Sequence, residues 1–215
     1  MQTFLAGAML STANRTGECM RLTISICALA VILCAAAPAD PAATPAAAND
    51  LQSKEVNDVS QGWFTYGALL KAEQVQDPTA KGGAAVRITL SGKGANPWDA
   101  GASAPVVKPV SKGDVLLLAF WAKTAQPPAG GDGADIQALI EVSAAPYTPL
   151  SPYAQIHIGD AWKLYYVIGT ATQDYAPQTL TAQLQMATGA QVIDLGSVFI
   201  FDFGPNYDVS KLPHN

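Results

Sequence analysis

The chain has 215 residues, with 12 Lys plus Arg against 17 Asp plus Glu and a formal net charge of -5. That length suffices for one medium-sized domain with its own core, and only 13% of residues are charged, so Thr, Ser, Gln, Asn and Gly carry much of the polarity. From Asp40 onward ten basic residues stand against sixteen acidic ones with no basic run, which excludes the phosphate-tracking surface that a nucleic-acid binder needs.

Residues 1–39 read as a targeting region. Arg21, an apolar run over 22–34 and Ala37-Pro38-Ala39 before Asp40 supply a charged part, a hydrophobic part and a small-residue cleavage site. Met20 is the expected start, with 1–19 as upstream sequence. The apolar run is short for a bilayer span. Cys19, Cys27 and Cys34 all lie in this region, so the exported chain is expected to carry neither thiol nor disulfide, and a periplasmic or extracellular location follows. Residues 40–50, DPAATPAAAND, read as an Ala/Pro linker.

Order is expected from about Leu51. The aromatic stretch 63–67, WFTYG, is the first strand or its lead-in, and 84–90, AAVRITL, alternates as a strand with Val86, Ile88 and Leu90 inward. A Gly/Asn/Pro loop over 94–101 carries Trp98. The run 113–123, GDVLLLAFWAK, follows a Lys-Gly-Asp turn and reads as a central strand buried on both faces, with Leu116, Leu118, Phe120 and Ala122 on its more apolar parity. Further strands are expected over 136–142, 153–158, 162–168, 180–186 and 191–203, the last broken by Gly196. Residues 205–215 form a tail. No stretch shows helical periodicity, and strand signals recur every dozen or so residues between Gly/Pro turns, so the expected class is all-β, a two-sheet antiparallel sandwich spanning 51–204.

Several strands pair an apolar parity with one of hydrogen-bonding residues: Trp121/Lys123, Gln137/Glu141, Tyr153/Gln155/His157 and Thr181/Gln183/Gln185. A solvated face favours Lys, Glu, Thr and Arg; Gln, Tyr and Trp instead suit directional, largely uncharged hydrogen bonding beside flat rings, the chemistry that sugars demand. The plainer account is the exposed face of an antiparallel sheet.

The segments Asn96-Pro97-Trp98-Asp99, Pro109-Val110-Ser111-Lys112-Gly113-Asp114 leading to Ala119-Phe120-Trp121-Ala122-Lys123, Pro146-Tyr147-Thr148, Asp160-Ala161-Trp162-Lys163-Leu164-Tyr165, Gln183-Leu184-Gln185 and Gln191-Val192-Ile193-Asp194-Leu195-Gly196 occur in this order. Together they resemble the CenC-type carbohydrate-binding modules, the group around families 4, 9 and 22, over roughly residues 50–204. The resemblance implies a galactose-binding-like β-jelly roll that holds a xylan, β-glucan or cellulose-type chain and often accompanies a glycoside hydrolase. It also implies a structural Ca²⁺ with Asp194 among its ligands, although Leu195 follows where relatives often carry an acid.

Individual residues have competing accounts. Trp98 lies near the binding cleft in the family pattern, or it plugs one end of the sandwich. Tyr147 and Tyr153 are stacking platforms, or they cap the core with wet hydroxyls. Glu141 and the amides Gln137, Gln155, Gln183 and Gln185 receive sugar hydroxyls, or they are solvated. Arg87, the only arginine after residue 39, anchors Glu141 or an equivalent carboxylate, contacts the ligand, or forms a surface ion pair. Trp162 is assigned to the core, Trp121 to packing beneath the cleft, and His157 to the polar face.

Catalysis finds few candidates. Glycoside hydrolysis needs two carboxylates at a defined gap, and after residue 39 the only Glu residues are Glu55, Glu73 and Glu141; no G-x-S-x-G occurs. The reading is therefore an exported, monomeric, non-catalytic glycan binder. The alternatives are a polysaccharide hydrolase or lyase on a jelly roll and a structural envelope domain, which predicts one broad apolar patch.

Overall fold

The computed structural model describes residues 45–215. It begins with helix α1 (Pro45–Lys54), which occupies the second half of the segment expected to be a linker and is the one α-helix among the described residues. Proline at its first position, three successive alanines and the Asp50–Lys54 contact (3.3 Å) account for it. Its apolar surface is too small for a periodic signal, so pattern reading passed over it. No helix among the described residues is long and apolar enough to cross a membrane.

Ten strands follow: β1 (Phe64–Tyr66), β2 (Leu70–Gln76), β3 (Ala84–Leu90), β4 (Gly101–Pro105), β5 (Asp114–Gln126), β6 (Ala134–Val142), β7 (Ala154–Ile158), β8 (Lys163–Thr170), β9 (Leu180–Gln185) and β10 (Gln191–Pro205). They form two five-stranded antiparallel sheets, in the orders β1-β4-β9-β6-β7 and β2-β3-β10-β5-β8. This is the expected two-sheet sandwich.

The core lies between the sheets. Ile136, Ala138 and Ile140 of β6, Ala182 and Leu184 of β9 and Ile156 and Ile158 of β7 meet Ile88, Leu116, Leu118, Phe120, Ile193 and Ile200 of the second sheet. Phe120 is fully buried, edge-on to Trp63 (6.0 Å, 87°) and stacked on Tyr165 (5.7 Å); a side chain of this kind contributes roughly 1.5–3 kcal/mol by burial. The alternation read from the sequence holds here: β5 places Leu116, Leu118, Phe120 and Ala122 inward.

A bulge interrupts β10 between Leu195 and Val198. Its freed backbone groups are taken by side chains. Trp63 Nε1 donates to Gly196 O (2.9 Å), and buried Asn57 both donates to Val198 O (3.1 Å) and accepts from Ile200 N (2.6 Å).

The outer face of the second sheet is covered in part by the chain's last residues. Val115 and Leu117 pack with Leu212, Phe201, Phe203 and Tyr207, and the Asn215 amide both donates to Tyr166 O (2.9 Å) and accepts from Tyr166 N (2.8 Å) on edge strand β8. The expected tail is thus packed structure.

Candidate functional site

The outer face of the first sheet carries the polar parity of β6, β7 and β9. Strand register aligns it in rows: Tyr66, Gly101, Gln185, Gln137 and Gln155 run across all five strands. Beside them lie Phe64, Ser103, Gln183 and Leu139, and then Pro105, Thr181 and Glu141. Gly101 makes room for the Tyr66 ring, since a Cβ there would stand 2.8 Å from the Tyr66 hydroxyl and collide with Leu184 O.

Two loops wall this face. One is the 3₁₀ turn Pro97–Asp99, which is pinned by Asn96 N donating to Asp99 Oδ2 (2.9 Å) and Ala187 N donating to Pro97 O (3.0 Å). It presents Trp98, which is 52% exposed. The other folds back on β6, with Val142 N donating to Thr148 O (2.9 Å) and Leu150 N to Ile140 O (2.8 Å). It presents Tyr147 and Tyr153, both exposed. Tyr147 has φ 54°, left-handed backbone that a bulky side chain rarely adopts and that concentrates at binding sites.

Between the walls lies a cleft of about 560 Å³ lined by Tyr66, Trp98, Glu141, Pro146, Tyr147, Tyr153, Gln183 and Gln185. Its floor is rich in acceptors. Glu141 is only 6% exposed, and burial pushes its carboxyl up to about 7. Burial, and secondarily the charge of Glu141, pushes the Tyr66 phenol up to about 12. The side-chain oxygens of Gln183 and Gln185 are buried without a hydrogen-bond partner, a costly state for an amide.

Six residues singled out from the sequence therefore meet in one place: Trp98, Tyr147, Tyr153, Glu141, Gln183 and Gln185. Gln137 and Gln155 share the sheet face, paired with each other and respectively one and two strands from Gln185, but lie outside the cleft lining. Tyr66 and Pro146 were missed as site residues. Tyr66 sits in the aromatic stretch that marked the first strand, and its alternation with Phe64 was the available signal.

Other expectations are corrected. Trp121, Lys123 and Arg87 belong to the second sheet, so none of them packs under or enters the cleft. Arg87 binds Asp194, not Glu141, through two hydrogen bonds of 2.7 and 2.9 Å. Trp162 is half-buried rather than core; its Nε1 donates to Asp77 Oδ2 (3.1 Å), and the Lys123 ammonium lies 5.2 Å from its ring centroid. The Lys123 ammonium, with Thr79, holds the Asp77 carboxyl well below the usual range. His157 stays on the polar face, its ring between Asp135 (2.8 Å) and Asp132 (3.4 Å).

Asp194 does not fit a structural calcium. Its carboxylate is fully buried, gripped by the Arg87 guanidinium and 3.8 Å from the Lys123 ammonium. A hard cation needs six or more oxygens around it, and no group of three or more potential metal-binding side chains occurs among the described residues.

No family model matches the chain, and no curated protein matches it. Among solved structures, the carbohydrate-binding module CBM4 aligns with a TM-score of 0.50 at 15% identity, over 66% of this chain and 95% of that one. An arabinose-bound α-L-arabinofuranosidase aligns with a TM-score of 0.51 at 12% identity; the match covers 71% of this chain and 26% of that enzyme's length. The chain thus has the β-sandwich fold found in carbohydrate-binding modules.

Proposed function

We propose that the protein is a non-catalytic carbohydrate-binding module whose cleft holds a polysaccharide of the xylan or β-glucan type. The make-up of the cleft carries this reading. Tyr66, Trp98, Tyr147 and Tyr153 offer flat apolar surfaces on which pyranose faces stack, while the Glu141 carboxyl and the Gln183 and Gln185 amides supply hydrogen-bonding partners for hydroxyl groups.

Glu141 is the only carboxyl among the lining residues, and hydrolysis by paired acids requires two, which favours binding over cleavage. Export directed by residues 1–39, which lie outside the described residues, and action as a monomer beside a separate glycoside hydrolase belong to the same proposal.

Affinity electrophoresis tests it. Retardation is expected in gels containing xylan or β-glucan, and Trp98→Ala or Tyr153→Ala should abolish it while leaving stability within about 0.5 kcal/mol, because both residues lie outside the core and are about half exposed. No retardation across a broad glycan panel overturns the reading.

A further inference from the structure

The floor of the cleft is matched to a group that carries positive charge. Glu141, only 6% exposed, lines the cleft, with Gln183 in the next row of the sheet and Gln185 in the row beyond. No Lys, Arg or His lines the cleft. Arg87 and Lys123 lie on the other sheet, paired with Asp194 and Asp77, and His157 stands between Asp132 and Asp135. Apart from Glu141, the titratable groups in the lining are the phenols of Tyr66, Tyr147 and Tyr153. A buried carboxylate without a counter-charge is costly.

A protonated amine answers each of these features. It donates to the carboxylate and neutralises it, and it is attracted to the faces of surrounding rings. Resting on the glycan-binding reading above, we propose that the cleft takes β-linked chains bearing protonated amino groups, of the glucosamine-polymer class, in preference to their neutral counterparts. The aromatic walls serve the pyranose rings, and the floor selects the substituent. Because burial holds the Glu141 carboxyl near neutrality, docking of the cation drives off its proton, whereas a neutral chain leaves that proton largely in place.

The test compares a β-1,4-linked glucosamine tetrasaccharide, its N-acetylated counterpart and cellotetraose by titration calorimetry at slightly acid pH. The free-amine chain should bind roughly tenfold tighter than the other two, with an advantage that shrinks as salt rises. Glu141→Gln should erase the advantage, so that the free-amine chain binds within about twofold of its neutral counterparts in the same variant. Equal affinities in the wild type, or an advantage that survives in Glu141→Gln, overturn the inference. Should that variant misfold, the salt series on the wild type decides, a salt-insensitive advantage counting against it. Binding of cellotetraose without an amine preference defeats this inference alone; failure of all three chains together with xylan and β-glucan defeats the glycan-binding reading itself.

Discussion

Arg87 and Asp194 face each other across β3 and β10, joined by two hydrogen bonds of 2.7 and 2.9 Å on the sheet opposite the cleft. They are the centre of a row, Glu73, Arg87, Asp194 and Lys123, in which charge alternates from strand to strand. Hydrogen bonding to Asp194 holds the guanidinium pKa above its ordinary value. Arg87→Ala leaves the buried carboxylate with only Lys123. The expected cost is about 2 kcal/mol, reduced from the buried-pair range because the guanidinium is partly exposed, and a thermal melt reads it. Retardation on a glycan gel should not change. A chelator should leave the melting temperature where it was.

Glu141 makes stability fall as pH rises. Its folded carboxyl titrates at about 7 against an ordinary value of 4.5, so below 4.5 both states are protonated and the fold suffers no penalty. Between 4.5 and 7 the unfolded chain ionises first, and the loss grows to a limit on the order of 3 kcal/mol. Asp202, raised mainly by burial, pushes the same way, while Asp58 and Asp77, both lowered, push the other. The difference between wild type and Glu141→Gln isolates one group. The variant should match the wild type in stability near pH 4 and exceed it above pH 8, as read from melts across that range.

Tyr147 separates binding from folding. Its ring is 55% exposed and its backbone is left-handed, so Tyr147→Asn keeps a residue that tolerates this conformation and removes the ring. Stability should stay within about 1 kcal/mol, while affinity for the retarding polysaccharide drops by roughly tenfold. An unchanged affinity would remove Tyr147 from the cleft's working surface.

Asn57 carries the bulge of β10. Asn57→Ala strands the Ile200 N–H and the Val198 carbonyl inside the protein, and each buried unpaired group costs about 1–3 kcal/mol. Denaturant melts should show a loss of about 2–4 kcal/mol. Asn57→Asp restores the acceptor but not the donor and should recover part of it.

Alternation made one half of the site legible. In β6, β7 and β9 the amides and Glu141 fall on one parity and aliphatics on the other, and pairing then brought those parities onto a single face. Parity says which side of a strand a residue takes, not which sheet the strand joins. Trp121 and Lys123 were accordingly grouped with residues of the other sheet, because β5 pairs with β8 and β10, a matter of contacts distant in sequence. β4, GASAP, has no bulky residue to announce a strand, and β2, LKAEQVQ, is an exposed edge without an apolar parity. Trp98 stands out because a large ring in a polar loop has no periodic reason to be there; its turn is fixed by Asn96 N on Asp99 and by Ala187 N on Pro97 O, the second a contact distant in sequence that propensity does not encode.

The cleft's lining reaches opposite margins of one sheet: Tyr66 ends β1, and Tyr153 immediately precedes β7. Four strand spacings separate those margins, about 19 Å, and no hairpin excised from the molecule contains both. Recognition is therefore a property of the completed five-strand array. A ligand seated across it should slow amide hydrogen exchange at both borders at once, acting as a clamp on strands that lie nearly a hundred residues apart in the chain.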